Sequence, residues 1–263
     1  MRSPDLTRQR DKAGPERPER LAQLRAQIER IERGDGVVQA ACPLGVAAID
    51  GALPWGGLPR GALHEIGGVA ERDLAAQSFT AVLLGLLAEG SRPVLWIAPD
   101  EGPYAPALPG FGLNPAQVTV VRARRPADAL WALEEGVRCS PLAAVLAEGA
   151  APDFAQSRRL QLAASESGVT PLLLQPARDP LPASAAVTRW RVAAAASVPD
   201  GHDNETVGSA RWRVDLLRAR GGRPRHWLIE WSHETPCLKT HRLAVAADAR
   251  DRPDRAADRH KAA

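Results

Sequence analysis

Five short apolar segments, separated by helical patterns, run through the middle of the chain and restrict its fold more than any other feature. The predicted strands are 62–66, 93–98, 118–122, 142–147 and 170–175. Helical periodicity occupies three of the intervals between them, over 74–89, 127–139 and 157–166. Short apolar strands that alternate with helices are typical of parallel sheets buried on both faces. The sequence therefore predicts an α/β protein with a parallel β-sheet core and helices on both faces.

The segment that follows this core has a pattern typical of antiparallel strands. Residues 186–193 and 210–217 each contain Arg-Trp-Arg-Val with strand-like alternation. Residues 221–224 read Gly-Gly-Arg-Pro and separate two further strand-like stretches, which predicts a hairpin loop. We therefore expect C-terminal antiparallel strands that extend the core.

Composition changes mark the ends of the predicted domain. Leu21, Leu24, Ile28 and Ile31 recur at helical spacing and predict an N-terminal helix. The two ends of the chain are polar and charged, and we expect them to be disordered. The predicted organisation is a disordered lead at 1–18, a helix at 19–40, a core at 41–180, an extension at 181–243 and a disordered tail at 244–263.

Composition also argues against several classes of protein. No run of 18 apolar residues is present, and the charged N-terminal sequence lacks the apolar centre of a secretory signal. Cys42, Cys139 and Cys237 are too scattered to indicate a disulfide framework or a metal site, and they fit a reducing cytoplasm. A net charge of +3 is too small to indicate a nucleic-acid partner by itself. We expect a cytoplasmic protein without a membrane partner.

One stretch near the start of the core resembles the entry to the ATPase core of the RecA family. Residues 56–61 read Gly-Gly-Leu-Pro-Arg-Gly, and residues 65–68 read Glu-Ile-Gly-Gly. In the RecA family a similar element precedes the strand that leads into the phosphate-binding loop, or P-loop. The order of elements up to Gln175 is also similar, so the resemblance implies a RecA-like fold.

The P-loop itself lacks the residue types that its chemistry needs. Such a loop uses small residues around the phosphates, a lysine for the β and γ phosphates, and a hydroxyl group for magnesium. When Gly68, which follows Gly67, is placed on the first glycine of the loop, Asp73 falls on the second glycine, Leu74 on the lysine and Ala75 on the hydroxyl residue. The resemblance therefore leads to a degenerate P-loop.

Neighbouring charges are also unsuited to a triphosphate. No lysine lies between Lys12 and Lys239, so a shifted alignment does not supply one. Glu71 and Asp73 would bring negative charge to the place where phosphates sit, and like charges repel there. We therefore expect a protein that is not an enzyme, with no catalytic residue and no cofactor.

Three carboxylates stand where the RecA resemblance implies remnants of an active site. RecA-like enzymes carry a catalytic carboxylate after the strand matched by 93–98, where Asp100 and Glu101 occur. They carry a magnesium-linked aspartate after the strand matched by 142–147, where Glu148 occurs. We expect these three side chains to be solvated strand-end residues, and a residual nucleotide or metal contact stays open as the alternative.

Two families combine a RecA-like core with a missing P-loop, and the chain is more similar to one of them. Its length, its predicted N-terminal helix and its Arg/Trp-rich C-terminal strands resemble the ImuA family of SOS mutagenesis cassettes. That resemblance implies an accessory role in DNA-damage-induced translesion synthesis. The implied partners are a Y-family polymerase-like protein of the ImuB type, an error-prone replicative-type polymerase, RecA and single-stranded DNA, with association with the nucleoid during the damage response. The alternatives are a SulA-like cell-division inhibitor that binds a tubulin-like GTPase, and a weak ATPase with an unusual P-loop.

The extension combines arginine with tryptophan, which are the residue types used to bind phosphates and to stack on bases. Because side chains alternate in a strand, the arginines of Arg-Trp-Arg-Val point away from Trp190 and Trp212. Two interpretations stay open: tryptophans in the core with solvated arginines, or a surface for DNA or a partner. The candidate surface residues are Arg189, Arg191, Arg211, Arg213, Arg218, Arg220, Arg223 and Arg225.

Overall fold

The computed structural model of this chain describes part of the 263 residues. The described residues are 41–69, 73–88, 91–176, 180–197, 209–231 and 243–245. The chain divides into two units, Met1–Gly36 and Val37–Ala263, and all of the described residues belong to the second. The predicted lead, the predicted N-terminal helix and most of the predicted tail lie outside the described residues.

The described residues form strands and helices in alternation up to residue 176. The strands are β1 (Ala41–Cys42), β2 (Leu58–Pro59), β3 (His64–Gly68), β4 (Val94–Ala98), β5 (Val118–Arg122), β6 (Ala144–Glu148), β7 (Thr170–Pro176), β8 (Thr188–Ala195), β9 (Ala210–Ala219), β10 (Arg225–Trp231) and β11 (Leu243–Val245). The α-helices are α1 (Ala47–Asp50), α2 (Leu74–Leu87), α3 (Pro126–Arg138) and α4 (Phe154–Ser167). Two 3-10 helices, Ala105–Phe111 and Pro115–Gln117, lie between β4 and β5. None of the described helices is both long and apolar enough to cross a membrane.

Nine of these strands form one mixed sheet. Its order is β5-β4-β6-β7-β3-β8-β9-β10-β11, and a separate small pair joins β1 to β2. Within this order, the six strands β5-β4-β6-β7-β3-β8 are each parallel to the next. Parallel neighbours need crossover connections, which the helices of the core provide for most of these strands. The strands β8 to β11 are joined antiparallel and form the extension. The sequence prediction of a parallel core with helices and an antiparallel extension is therefore confirmed.

Alternating side chains of the sheet form two apolar clusters, one on each face. Trp96 and Leu146 belong to the cluster on the α2 face, and Ile97 and Val145 belong to the cluster that includes α3 and α4. This division follows from the period of two along a strand. Burial on both faces explains why the central strands read as nearly continuous apolar runs.

An aromatic group fixes the extension to the α2 face. Phe79 of α2 lies 6.2 Å from Trp190 and 6.1 Å from Trp212, measured between ring centroids. Trp212 in turn stacks on Trp231 at 6.5 Å. All four rings are at most 3% exposed. Of the two interpretations of the doubled Arg-Trp-Arg-Val, the structure therefore places its tryptophans in the core.

The end of the sheet differs from the predicted boundary of the tail. The sequence assigned residues 244–263 to disorder, whereas Leu243–Val245 pairs with β10 as an edge strand. Three residues are too short a segment to show a clear strand pattern in the sequence. Pairing with the backbone of β10 supplies hydrogen bonds that local sequence does not reveal.

A buried hydrogen-bond chain joins the glycine–proline element to β3 and β8. His64 Nε2 donates to the carbonyl oxygen of Pro59 at 2.9 Å, since a carbonyl only accepts. His64 Nδ1 therefore accepts from the Thr188 hydroxyl at 2.7 Å, and the Thr188 oxygen accepts from Trp190 Nε1 at 2.7 Å. Burial lowers the pKa of His64 to about 4, although its bond to Pro59 acts in the opposite direction. His64 is thus a neutral structural residue at pH 7.

Protonation of His64 predicts a loss of stability in acid. The unfolded chain binds this proton near pH 6.5 and the folded chain near pH 4, so acid favours the unfolded state. The His64 contribution to the free energy of unfolding should fall by up to about 3 kcal/mol between pH 6.5 and pH 4 and then level off. Urea denaturation of wild type and His64→Gln across this range measures the contribution as the difference between the two curves. The exposed His226→Gln variant should follow wild type, and equal pH dependence in all three proteins would contradict the prediction.

Candidate functional site

A cleft opens at the carboxyl ends of the parallel strands, the position where ligands bind in open α/β sheets. It has a volume of about 270 Å³ and lies against the ends of β3, β4, β6 and β7. Three carboxylates line it, from Asp73, Asp100 and Glu148, and no basic side chain occurs among its described lining residues. The structure therefore brings together the degenerate P-loop and two of the three carboxylates singled out in the sequence.

The carboxylate of Asp73 occupies the N-terminus of α2. Its Oδ1 accepts hydrogen bonds from the backbone amides of Ala75 at 2.9 Å and Ala76 at 3.4 Å, and its Oδ2 accepts from Val69 at 2.8 Å. A helix N-terminus that follows a strand and a glycine turn is the place where a P-loop protein holds phosphate. Here the chain supplies its own anion to these amides. Residues 70–72, including Glu71, lie outside the described residues.

Close packing around Asp73 explains the residues on either side of it. A Cβ atom added to Gly68 would lie 2.4 Å from the Asp73 Cβ, so only glycine leaves room for the carboxylate. Gly67 precedes it as the fourth residue of β3. Leu74, which stands at the lysine position, is 73% exposed, and Ala75 is buried against the core. The described residues at the two ends of the loop are thus in contact with one another.

Glu148 connects three elements beneath the cleft. Its Oε1 accepts from the indole Nε1 of Trp96 at 2.6 Å and from the side-chain amide of Gln77 at 3.2 Å. Trp96 is 1% exposed, so its N–H needs a partner inside the protein. Glu148 therefore satisfies a buried donor from β4 and holds α2 to β6, which is a structural use of the carboxylate. The expectation of a merely solvated strand end did not include this contact.

The two carboxylates after β4 differ in position. Asp100 is exposed and lines the cleft, and Glu101 is exposed beside it but is not part of the lining. In the part of the chain that the structure describes, no group of three or more His, Cys, Asp or Glu side chains is arranged to hold a metal ion. A triphosphate placed in this cleft would meet like charge at each of the three lining carboxylates.

One candidate surface residue, Arg189, lies in the interior. It is 5% exposed, its Nε lies 2.6 Å from Glu65 Oε2, and its Nη1 donates to the carbonyl of Pro182 at 2.7 Å. Ser184 also donates its hydroxyl to Glu65. The assignment of Arg189 to a DNA or partner surface is therefore corrected: this guanidinium ties β8 to β3. Removal of either partner of such a buried ion pair would leave the other charge unpaired in the interior, which is costly.

The other seven arginines of the extension are distributed over its surface. Arg191 and Arg211 are half-buried, and Arg211 forms an ion pair with Glu230 of the neighbouring strand. Arg213 is exposed on the face of the sheet opposite the tryptophans. The remaining four lie around the turn between β9 and β10, at Arg218, Arg220, Arg223 and Arg225.

Sequence reasoning missed two contacts of the site. The capping role of Asp73 has a recognisable signal, because aspartate directly before an apolar helical run is a typical N-cap. The Trp96–Glu148 bond has none, since it joins residues 52 positions apart on neighbouring strands. Its position follows from the parallel register of β4 and β6.

The fold and this cleft place the chain among the RecA-like α/β proteins. The crystal structure of the RadB recombinase superposes with a TM-score of 0.53 over 73% of this chain and 96% of RadB, at 13% sequence identity. The RecA-like fold inferred from the sequence is therefore confirmed. No protein-family model matches the chain.

Curated relatives give the narrower identification. Two proteins named Protein ImuA, from two strains of Caulobacter vibrioides, are each 36% identical to this chain over 215 residues. The match spans 76% of this chain and 87% of each relative. The chain belongs to the ImuA family, as the resemblance in its sequence indicated.

The role of Asp73 predicts a measurable stability loss on truncation. Asp73→Ala leaves the amides of Val69, Ala75 and Ala76 without their acceptor and should lower the free energy of unfolding by about 1–2 kcal/mol. Asp73→Asn keeps one acceptor oxygen and should lose less. Chemical denaturation measures both variants against Asp128→Ala, which removes a carboxylate whose ion pair is exposed and should change stability by less than about 0.5 kcal/mol. Wild-type stability in Asp73→Ala would refute the capping role.

Proposed function

We propose that this chain is a non-catalytic RecA-like accessory protein of DNA-damage-induced mutagenesis, which acts by binding partners. Its main partner would be a Y-family polymerase-like protein of the ImuB type. Membership of the ImuA family supports the biological setting. The observation that carries the non-catalytic part is the Asp73 carboxylate on the amides of Val69 and Ala75, where a P-loop would hold phosphate.

The charges of the cleft support a protein that binds partners and does not hydrolyse nucleotide. A working P-loop neutralises phosphates with a lysine, and here Leu74 stands at that position with its side chain exposed. Of the carboxylates that stand where RecA-like enzymes use them, Glu148 accepts a hydrogen bond from Trp96, and Asp100 lines the cleft. Nucleotide turnover would need a cation that the described lining does not provide.

The same reasoning predicts weak or absent nucleotide binding. Titration calorimetry with magnesium and ATP should give no saturable binding, or a dissociation constant of roughly 1 mM or weaker. The comparison protein carries Asp73→Gly, Leu74→Lys and Ala75→Thr, which restore the three missing residue types. Tighter binding by this triple variant than by wild type would tie the loss to these positions. Micromolar, magnesium-dependent binding by the wild-type chain would instead support the weak-ATPase alternative.

Partner choice separates the proposal from a cell-division inhibitor. Co-expression of the full chain with a Y-family polymerase-like protein should give a complex that survives purification. Co-expression with a tubulin-like GTPase should give none, because this family likeness is to ImuA. Capture of the GTPase without the polymerase-like protein would overturn the proposal. RecA, an error-prone replicative-type polymerase and single-stranded DNA are further proposed partners of the assembly.

A further inference from the structure

The turn between β9 and β10 concentrates positive charge. Residues 216–229 contain four arginines and one histidine and no aspartate or glutamate. We call Arg218, Arg220, Arg223 and Arg225 the hairpin arginines. Three of them are exposed and Arg220 is half-buried. None forms an ion pair with a described residue, which distinguishes them from Arg189 and from other arginines whose charge is neutralised within the chain.

Arg218 and Arg220 are held in place by neutral groups. The guanidinium of Arg218 donates to the carbonyl of Ser184 at 3.2 Å, and that of Arg220 donates to the carbonyl of Ala185 at 3.4 Å. Burial lowers the pKa of Arg220, and the positive charge of Arg218 lowers it further. Two like charges are thus oriented side by side without a counterion among the described residues. An arrangement of this kind favours a bound anion, and guanidinium groups match the geometry of phosphate.

The hairpin is anchored firmly enough to present these charges. The backbone amide of Arg220 donates to Val187 at 2.9 Å, outside the regular ladder. At the turn, a Cβ added to Gly222 would lie 3.3 Å from the ring of Pro54, so the turn packs on the segment that follows α1. Gly221 adopts a φ of 72°, a left-handed conformation that suits glycine.

An open groove adjoins the hairpin on the α1 side. It has a volume of about 640 Å³ and is lined by residues 224–227 of the hairpin, among them Arg225, His226 and Trp227, and by small residues of the α1 segment. The small residues are Ala47, Ala48, Gly51 and Ala52. Trp227 is half-buried, and its ring lies 6.3 Å from the buried Trp190, which fixes its orientation. Small side chains in α1 and a positioned indole in the same groove leave space for a planar group.

We propose that the hairpin arginines and the Trp227 groove form a binding site for single-stranded nucleic acid. Arg225 lies on the same face of the sheet as Trp227, whereas Arg218 pairs with Arg189 on the other face, so the strand would pass around the turn. The arginines contact phosphates along this path, and one base enters the groove against Trp227. This combination of backbone cations with an aromatic surface is how proteins bind single strands without sequence preference. The inference deepens the proposed function, since it gives single-stranded DNA a defined place on the accessory protein. It also reduces the candidate surface from eight arginines to four.

Fluorescence anisotropy of a labelled 20-nucleotide oligothymidylate, titrated with the purified full-length chain from 50 to 200 mM salt, tests the site. Each of the double variants Arg218→Gln/Arg220→Gln and Arg223→Gln/Arg225→Gln should weaken binding about tenfold at low salt and reduce the slope of log K against log salt by about 1.4. The matched control Arg122→Gln/Arg124→Gln removes two exposed positive charges at the end of β5, on the opposite edge of the sheet, and should bind like wild type. Equal weakening in the control, or no binding by wild type, would overturn the inference.

Trp227 separates base contact from phosphate contact. Trp227→Leu should weaken binding to the single strand by about tenfold, Trp227→Phe should restore most of it, and affinity for a duplex of the same length should change in neither. Thermal unfolding of each variant identifies loss through misfolding, and the arginine variants keep the site testable in that case. Single-strand and duplex DNA bound equally, with no effect of Trp227, would overturn the groove. Because the assay uses this chain alone, its failure is distinguishable from failure to capture the polymerase-like partner.

Discussion

Helix α2 joins the cleft to the extension, and one carboxylate caps its N-terminus. Asp73 closes the N-terminus of the helix and draws the amide of Val69 onto the same side chain. From that fixed start, Phe79 reaches Trp190 and Trp212 of the antiparallel strands. If a phosphate accepted these hydrogen bonds, they would form only while the ligand is bound. Because the acceptor is the side chain of Asp73, they are always present in the folded chain.

A second carboxylate that lines the cleft is also held by hydrogen bonds within the chain. Glu148 stands at the end of β6 and accepts from Trp96 and Gln77, both of which are neutral donors. Hydrogen bonds to a charged acceptor are stronger than those between neutral groups, so the contact stabilises the packing of α2 on the sheet. In this chain, the carboxylate of Glu148 at the cleft therefore connects β4, β6 and α2. These internal hydrogen bonds of Asp73 and Glu148 are the physical basis for proposing a non-catalytic, accessory role for this member of the ImuA family.

The extension shows how one repeated tetrapeptide gives different environments. Both copies of Arg-Trp-Arg-Val put tryptophan in the core, but the first copy lies beside β3 and the second beside the outer strand β10. Arg189 of the first copy meets Glu65 and becomes an interior ion pair, while Arg213 of the second is exposed. The β8–β9 register shifts between Arg189, which pairs with Arg218, and Trp190, which pairs with Leu216. Four further arginines lie around the β9–β10 turn, and three of them are exposed.

The sequence by itself determined the order of strands and helices, the parallel core and the loss of the P-loop residues. Those features depend on local periodicity and on residue types at fixed spacing, both of which are visible along one chain. Tertiary structure decided that Asp73 accepts from three backbone amides, that Glu148 accepts from Trp96 and that Arg189 is buried against Glu65. The Glu148 and Arg189 contacts join residues from strands that the sheet order makes neighbours, and a linear pattern does not encode that order. Tertiary structure also decided that Trp227 lines one groove with α1, because these residues lie more than 170 positions apart in the sequence.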